Sequence, residues 1–338
     1  MSDKTKIEWT DATWNPVTGC TKVSTGCDHC YAETIATRFA GTSAYPNGFQ
    51  VTLRPERLDQ PIRWKRPRRI FVNSMSDLFH TDVPDDYIAK VFAVMAIASR
   101  HTFQVLTKRH GRMKALLNSR DFYATVRGHL RNTYGFSEVD AFGTDLFPLF
   151  NAWLGVSVED QRTADLRIPA LLDTPAAVRW LSCEPLLGHT WLTGLLPSDS
   201  EVLSPLGSHR RPTIDWVVVG GESGPNARPM HPDWARSLRD QCVAADVPFL
   251  FKQWGEWAPD EWIDGEGNRH VGPKPVAADP RSLVMHRAGL TALTPANPHD
   301  PWEKGHPGWR TVMRRVGKKA AGRELDGRTW DEYPEVAS

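Results

Sequence analysis

Three cysteines lie close together near the N-terminus, at positions 20, 27 and 30. Thiolates are soft ligands that select zinc, copper(I) or iron–sulfur clusters. The C-x2-C pair of Cys27 and Cys30 brings two sulfur atoms to one centre, and Cys20 adds a third across a loop that contains Gly26. Three thiolates leave a metal centre one protein ligand short, and an open coordination position is typical of a centre that does chemistry.

Two kinds of metal centre suit this spacing. A [4Fe–4S] cluster held by three cysteines keeps one iron free, and that iron can chelate the amino and carboxylate groups of S-adenosylmethionine (SAM). Electron transfer then cleaves the sulfonium bond and generates a carbon radical. The alternative is a structural zinc site completed by His29, His80 or Cys183, although such sites usually show two ligand pairs and only one is present. Unliganded buried cysteines are a third interpretation, which the clustering disfavours.

Short apolar runs provide the elements that must position these cysteines. Six runs follow the cysteine segment, each ends in a polar cluster, and a seventh strand is expected before it. The runs cover residues 70–72, 102–106, 153–156, 178–181, 214–219 and 248–251. Near-continuous apolar runs of this length are typical of strands buried on both faces of a parallel sheet.

Segments of helical periodicity alternate with these runs. They cover residues 85–100, 111–118, 160–172 and 232–245, and Pro169 should end or bend the third of them. The alternation predicts an α/β fold, a partial or full parallel (β/α) barrel with an irregular C-terminal cap. In such barrels the loops after the strands build the active site.

The predicted organisation has two parts. Residues 1–254 form the barrel, with the N-terminal cysteine loop and insertions at 121–150 and 194–213. Residues 255–338 form the cap and a basic tail, which begins with a predicted helix around residues 310–319.

Bulk composition excludes several classes of protein. The chain has 338 residues, 40% of them hydrophobic, and a formal net charge of +1, so nothing attracts it as a whole to nucleic acid or to an anionic membrane. No stretch of about 18 apolar residues occurs, and the N-terminal residues lack the apolar core of a signal peptide. We therefore expect a cytoplasmic protein without a disulfide framework or a membrane partner.

Motifs along nearly the whole chain resemble the phage Gp37/Gp68 family, whose members are uncharacterised. They include Glu8-Trp9-Thr10, Trp14-Asn15-Pro16, the cysteine segment, residues 73–79, 106–109, 155–159, 184–188, 220–225 and 251–255, and the tail from 317. The family is regarded as similar to radical-SAM enzymes and more distantly to spore photoproduct lyases. Its members often lie beside a three-Cys-motif partner protein.

The resemblance implies a radical-SAM-type enzyme with an external electron donor and an unknown substrate. Cys20, Cys27 and Cys30 are then the ligands of the [4Fe–4S] cluster, and SAM occupies the fourth iron. One departure is that the first gap holds six residues, whereas the usual radical-SAM motif is C-x3-C-x2-C.

Polar residues at the strand ends are the predicted contacts of SAM. Its carboxylate suits Lys108 or Arg109. Its amino group and ribose hydroxyls suit acceptors at other strand ends, namely Ser74, Ser76, Asp77, Ser157, Glu159 and Glu184. A glycine-rich turn is expected to approach the adenosine or the substrate through backbone groups, at Gly220, Gly221 and Glu222.

Each of these side chains also has a structural interpretation. Asp77 can cap the following loop, Glu159 can favour a helix N-terminus, and the glycines can simply form a turn. Lys108 and Arg109 can be a solvated pair. Cys183, at a strand end, is the candidate hydrogen-atom donor, although a small buried hydrophobic role is favoured for it.

Two basic runs make a nucleic acid a candidate substrate. Trp64 lies inside the first run, and basic residues interleaved with tryptophan suit phosphate contact with base stacking. The runs are Arg63, Lys65, Arg66, Arg68 and Arg69, and Arg310, Arg314, Arg315, Lys318, Lys319 and Arg323. A solvated surface is the plainer interpretation. The alternative functions are a zinc-stabilised nucleic-acid-binding protein and an iron–sulfur sensor that does not cleave SAM.

Overall fold

The structure is a computed structural model. It describes residues 5–136, 146–192, 195–196, 212–259, 261–263, 269–271, 282–286, 294–295 and 310–335. Parts of the predicted insertions, at 137–145 and 197–211, and most of the predicted cap lie outside these residues.

The strands of the described residues are numbered in chain order. They are β1 (Ala12–Trp14), β2 (Val17–Thr18), β3 (Thr52–Leu53), β4 (Arg69–Val72), β5 (Thr102–Thr107), β6 (Ala152–Ser157), β7 (Val178–Cys183), β8 (Trp216–Gly220), β9 (Phe249–Gln253), β10 (Trp257–Pro259), β11 (Glu261–Ile263), β12 (Arg269–Val271), β13 (Ser282–His286), β14 (Thr294–Pro295), β15 (Arg310–Arg315), β16 (Glu324–Leu325) and β17 (Arg328–Thr329).

The helices are numbered in the same way. They are α1 (Tyr31–Arg38), α2 (Gln60–Arg63), α3 (Asp85–Ile97), α4 (His110–Leu117), α5 (Arg120–Tyr134), α6 (Gln161–Leu172), α7 (Pro232–Ala244) and α8 (Lys318–Ala321), with 3-10 turns at Thr25–Cys27 and Pro55–Arg57. None of the helices in the described residues is long and apolar enough to cross a bilayer.

Seven strands form the main sheet, in the order β1-β4-β5-β6-β7-β8-β9. The pairs β1–β4, β4–β5, β5–β6, β6–β7 and β8–β9 are parallel. Every residue of β6 and of β8 is buried, because parallel strands are covered on both faces by their crossover segments. The predicted class, a mixed α/β fold with a partial parallel barrel, is confirmed.

All six predicted runs are strands, and β1 is the expected seventh. The predicted helices are also present, with ends that differ by up to three residues. The third of them, α6, continues past Pro169 to Leu172 instead of ending there. Pro169 lies on the exposed side of α6, where water can satisfy the carbonyl that loses its helical partner.

The chain divides into two compact units. Unit 1 comprises Met1–Ser157, Asp165–Ser182 and Val202–Trp216, and unit 2 comprises Val158–Ala164, Cys183–Glu201 and Val217–Ser338.

Four tryptophans pack together in the core of unit 1. Trp9 lies with ring centroids 5.1 Å from Trp180 and 6.3 Å from Trp216, and Trp153 lies 5.8 Å from Trp216. Gly155 of β6 makes room for this cluster, since a Cβ atom there would lie 2.5 Å from the Trp180 ring. Edge-to-face aromatic pairs of this kind stabilise a core beyond the area that they bury.

The C-terminal part of unit 2 contains a four-stranded antiparallel sheet, in the order β10-β15-β13-β14. The prediction that the tail begins with a basic helix is wrong for residues 310–315, which form β15. Thr311, Val312 and Met313 are buried there, and β15 pairs with both β10 and β13. Hydrogen bonding to two neighbouring strands and burial of the central residues stabilise the extended conformation, although the spacing of the basic residues is typical of a helix. Only Lys318–Ala321 is helical.

Candidate functional site

The cysteine segment lies in unit 1 and is anchored at both ends. Gly19, next to Cys20, forms a parallel bridge with Ser76 just after β4. Gly19 has φ +84°, and a Cβ atom would lie 2.1 Å from the Gln50 carbonyl oxygen, so only glycine fits. At the other end, Cys27 closes the 3-10 turn and Cys30 is the N-cap residue of α1.

The three thiols are half-buried and none forms a disulfide. Burial raises the pKa of Cys30, and backbone N–H groups of Glu33 and Ala32 in the first turn of α1 act in the opposite direction. Donors at a helix N-terminus stabilise a thiolate. The same position therefore suits a thiolate ligand once a metal compensates the charge.

Arg109 is the cation beside Cys20. Its Nη1 atom donates to the Cys20 sulfur at 3.4 Å, and its Nη2 atom donates to the Thr21 carbonyl at 3.1 Å and to the Thr21 hydroxyl at 2.9 Å. Burial raises the pKa of Cys20 most, the Arg109 charge lowers it, and the Asp77 carboxylate raises it. Arg109 therefore both positions this loop and favours its thiolate.

Asp77 is the buried carboxylate that holds Arg109, at 3.2 Å from Nη1. It also accepts hydrogen bonds from the Thr107 hydroxyl at 2.7 Å, the Phe79 amide at 3.0 Å and the Lys108 amide at 3.0 Å. The carboxyl ends of β4 and β5 thus meet at one charged group. A buried carboxylate with four donors is compensated, as buried charges must be.

Serine side chains complete the attachment of the cysteine segment to β4. Ser76 donates to the Val17 carbonyl at 2.8 Å, and Ser74 exchanges hydrogen bonds with Asn15 at 3.2–3.3 Å. Tyr31, the first residue of α1, donates to the Ser74 carbonyl at 2.5 Å. Three predicted SAM contacts, Ser74, Ser76 and Asp77, therefore already have partners within the protein.

Metal binding by a single ion finds no support in the described residues, where no group of three or more His, Cys, Asp or Glu side chains could hold one. His80, a proposed zinc ligand, instead lies 2.8 Å from the Thr21 hydroxyl through Nε2 and accepts from the Asp82 amide through Nδ1. Burial and the Arg109 charge lower the pKa of His80, which keeps its ring neutral.

The donor types are those that iron–sulfur clusters use, but among the described residues no three metal-ligating side chains are brought together. Cluster cysteines each bind a different iron atom, so their sulfur atoms need not meet as the ligands of one ion do. Three soft donors, a guanidinium at one sulfur and N–H donors at another match the needs of an anionic cluster.

Three of the remaining predicted contacts lie together in unit 2: Gly220, Gly221 and Glu184, which follows β7. Its Oε1 atom lies 3.1 Å from Nζ of Lys252 in β9. A Cβ atom at Gly220 would lie 2.3 Å from the same oxygen, and one at Gly221 would lie 1.9 Å from the Trp254 carbonyl oxygen. These glycines therefore serve close packing of the carboxylate and of the neighbouring backbone.

Four further predicted residues, Ser157, Glu159, Cys183 and Glu222, are all buried. Glu222 binds Arg228 through both carboxylate oxygens, at 2.8 and 2.6 Å. Ser157 ends β6 and its carbonyl accepts from Arg167, while Glu159 is fully buried in unit 2. Cys183 is also fully buried, and burial raises its pKa well above the ordinary range. That environment is typical of a core residue.

Sequence reasoning missed residues that hold the predicted ones in place, namely Asn15, Thr21 and Thr107 in unit 1 and Lys252 in unit 2. Asn15 directly follows β1 and Thr107 is the last residue of β5, and a polar residue at a strand end is a usable signal. Nothing in the sequence pairs Asp77 with a residue some thirty positions away.

The first basic run lies at the opposite end of β4 from the cysteine segment. Arg63, Lys65 and Arg66 are exposed, and the Arg68 guanidinium lies 5.2 Å from the Trp64 ring centroid. Arg69 begins β4, whereas the bridge between Gly19 and Ser76 lies beyond its end. The run therefore forms a surface separate from the cysteine segment.

Comparison with known proteins assigns the chain to a family without a described activity. Residues 4–334 match the model of the DUF5131 family, described as a protein of unknown function. The chain belongs to this family. No curated protein and no solved structure matches it.

Proposed function

We propose that this protein is a radical-SAM-type enzyme whose cluster ligands are Cys20, Cys27 and Cys30. The observation that carries the proposal is the set of three unpaired, half-buried thiols on one segment, anchored by Asp77 and Arg109 at the ends of β4 and β5. In parallel barrels this is the end of the strands where active sites form. The resemblance to the Gp37/Gp68 family supports the same assignment.

A bound [4Fe–4S] cluster would supply the electron that cleaves SAM at its open iron. The residues of this chain have separate tasks. Arg109 donates to the Cys20 sulfur and Asp77 fixes the guanidinium, so the sulfur keeps its orientation. The N–H groups at the start of α1 stabilise negative charge on Cys30.

Because Ser74, Ser76, Asp77 and Arg109 already have partners in the protein, they act as positioning residues in this proposal. Lys108, whose amide is held by Asp77, is the candidate in unit 1 for the SAM carboxylate. An external electron donor is required, and a three-Cys-motif partner protein or a nucleic acid is proposed as partner or substrate.

A zinc-stabilised nucleic-acid-binding protein is the second candidate function. The observation that favours nucleic-acid contact is the exposed basic run with Arg68 stacked over Trp64. An iron–sulfur sensor without SAM cleavage is the third.

Anaerobic reconstitution tests the proposal. The wild-type protein is purified without oxygen, supplied with iron and sulfide, and given dithionite and SAM. We expect about four iron atoms per chain and formation of 5′-deoxyadenosine. The triple variant Cys20→Ala, Cys27→Ala, Cys30→Ala should lose both, whereas Cys242→Ala, a buried thiol of α7, should keep both.

Two other results would replace the proposal. Iron binding without 5′-deoxyadenosine indicates the sensor. A colourless protein that retains about one zinc per chain, removed by the triple variant, indicates the zinc-stabilised protein.

A further inference from the structure

Asn73 is an unusual residue at the end of β4. It is 3% exposed, and neither its Oδ1 nor its Nδ2 atom has a hydrogen-bond partner in the part of the chain that the structure describes. Its backbone is well held, since its amide donates to the Trp14 carbonyl at 2.8 Å and its carbonyl accepts from Ser76 at 3.2 Å. The side chain alone is unsatisfied.

The backbone of Asn73 is also in the left-handed region, with φ +61°. Residues other than glycine reach this region at a cost in free energy, and a buried unpaired amide adds a second cost. Glycine would avoid both. Backbone strain and orphaned polar groups persist together mainly where a ligand or a function uses them.

The position of Asn73 connects it to the cysteine segment. Ser76, three residues later, bridges Gly19, the neighbour of Cys20. Asn73 directly follows β4, so it lies at the strand end that carries this anchor of the cysteine segment.

We propose that the Asn73 amide binds the small-molecule ligand of the cysteine site. This inference rests on the proposed function. An amide offers one acceptor and a pair of donor hydrogens, so it recognises a ligand that carries a donor next to an acceptor. SAM presents this pattern twice: as the ammonium and carboxylate of its methionine end, and as N6 and N7 of its adenine.

The test compares wild type with Asn73→Gly and with Asp246→Gly. Asp246 also has a positive φ, of 54°, but is exposed in the turn after α7. Thermal unfolding gives stability, and equilibrium dialysis gives the affinity for SAM, L-methionine and adenosine before and after cluster reconstitution. Both variants relieve left-handed strain, which outweighs the extra freedom of glycine in the unfolded chain, so both should unfold at a higher temperature than wild type.

Only Asn73→Gly should lose affinity for SAM, by about tenfold or more, which corresponds to about 1.4 kcal/mol. A parallel loss for L-methionine or for adenosine identifies the end of SAM that the amide binds. Unchanged SAM affinity, or a lower unfolding temperature for Asn73→Gly, would overturn the inference, because the amide would then be structural.

Failure of the proposed function gives a different pattern. If wild type forms no cluster but binds adenosine or L-methionine, and Asn73→Gly abolishes that binding, the inference stands while the radical-SAM proposal falls. If wild type cleaves SAM and Asn73→Gly does so with the same KM, the proposal stands and the inference falls. A wild type that binds none of the three probes overturns the inference outright.

Discussion

Replacing Arg109 by alanine should release the cysteine segment from the sheet. The guanidinium makes three contacts with this segment, to the Cys20 sulfur and to the carbonyl and hydroxyl of Thr21. It also neutralises Asp77, which is buried. Alanine removes all four contacts at once and adds no group that could replace them.

The magnitude follows from those contacts. Hydrogen bonds from a charged donor contribute about 1.5–3 kcal/mol each in favourable cases, but the bond to sulfur is long and the Thr21 contacts are partly exposed. Asp77 keeps three donors, Thr107, Phe79 and Lys108, which limits the cost of leaving its charge unpaired. Together these effects suggest that local opening of the segment becomes easier by about 2–3 kcal/mol.

Hydrogen exchange measures that opening directly. The Cys20 amide is bonded to the Phe49 carbonyl at 3.1 Å, so it exchanges only when the segment opens. A decrease of 2–3 kcal/mol predicts exchange about 30- to 150-fold faster in Arg109→Ala. Lys114→Ala is the control, because Lys114 lies on α4, the helix that Arg109 precedes as N-cap residue, and its ion pair with Asp173 is exposed.

The reasoning would be refuted if exchange at Cys20 rose by less than about threefold in Arg109→Ala, or if Lys114→Ala accelerated it as much. Either result would mean that the backbone bonds around Gly19 and Cys20 hold the segment without the guanidinium. The experiment needs neither iron nor SAM, so it tests the anchoring separately from the proposed chemistry.

Three further predictions follow from single features. Gly155→Ala should lower the free energy of unfolding by about 1–3 kcal/mol in urea titration, since its Cβ would meet Trp180, whereas Gly128→Ala, in open space on α5, should raise it or leave it unchanged. Burial lowers the pKa of His101 from its ordinary value of 6.5, because the buried ring is held neutral. The stability of the folded protein that depends on this neutral ring is therefore present above pH 6.5 and is lost as the pH falls below 6.5. His101→Gln should flatten the fall of the urea midpoint between pH 7 and pH 5, and an unchanged slope would contradict this. Removing the exposed charges of the first basic run should weaken single-stranded DNA binding measured by fluorescence anisotropy. The slope of log affinity against log salt concentration should fall by about 2, whereas an unchanged slope would mean that the run is a solvated surface that does not contact DNA. The charges to replace by alanine are those of Arg63, Lys65 and Arg66.

The parallel sheet could be predicted from the sequence because burial on both faces leaves little choice of residue. Strand β8, for example, reads as tryptophan, three valines and glycine, and all five residues are buried. The polar clusters after the strands could also be recognised in the sequence, since they mark where each strand ends. Strand β15 was missed because its arginines flank a short apolar centre, and only pairing with β10 and β13 selects the extended form.

The partners of the strand-end side chains could not be predicted in the same way. Asp77 was expected to face a cofactor, yet its four donors come from the following loop and from the end of β5. Such contacts depend on the register in which two strands pair. The residues next to Asp77 in the sequence do not determine that register. Glu184 illustrates the same limit, because its cation, Lys252, comes from β9.

The two anchors of the cysteine segment offer a physical account of its long first gap. Cys20 is held at the end of the sheet through Gly19 and Arg109, whereas Cys27 and Cys30 are held by the 3-10 turn and the start of α1. The six residues between Cys20 and Cys27 connect these two sets of contacts. Shortening this gap is therefore expected to strain both the Arg109 contact with Cys20 and the turn that ends at Cys27.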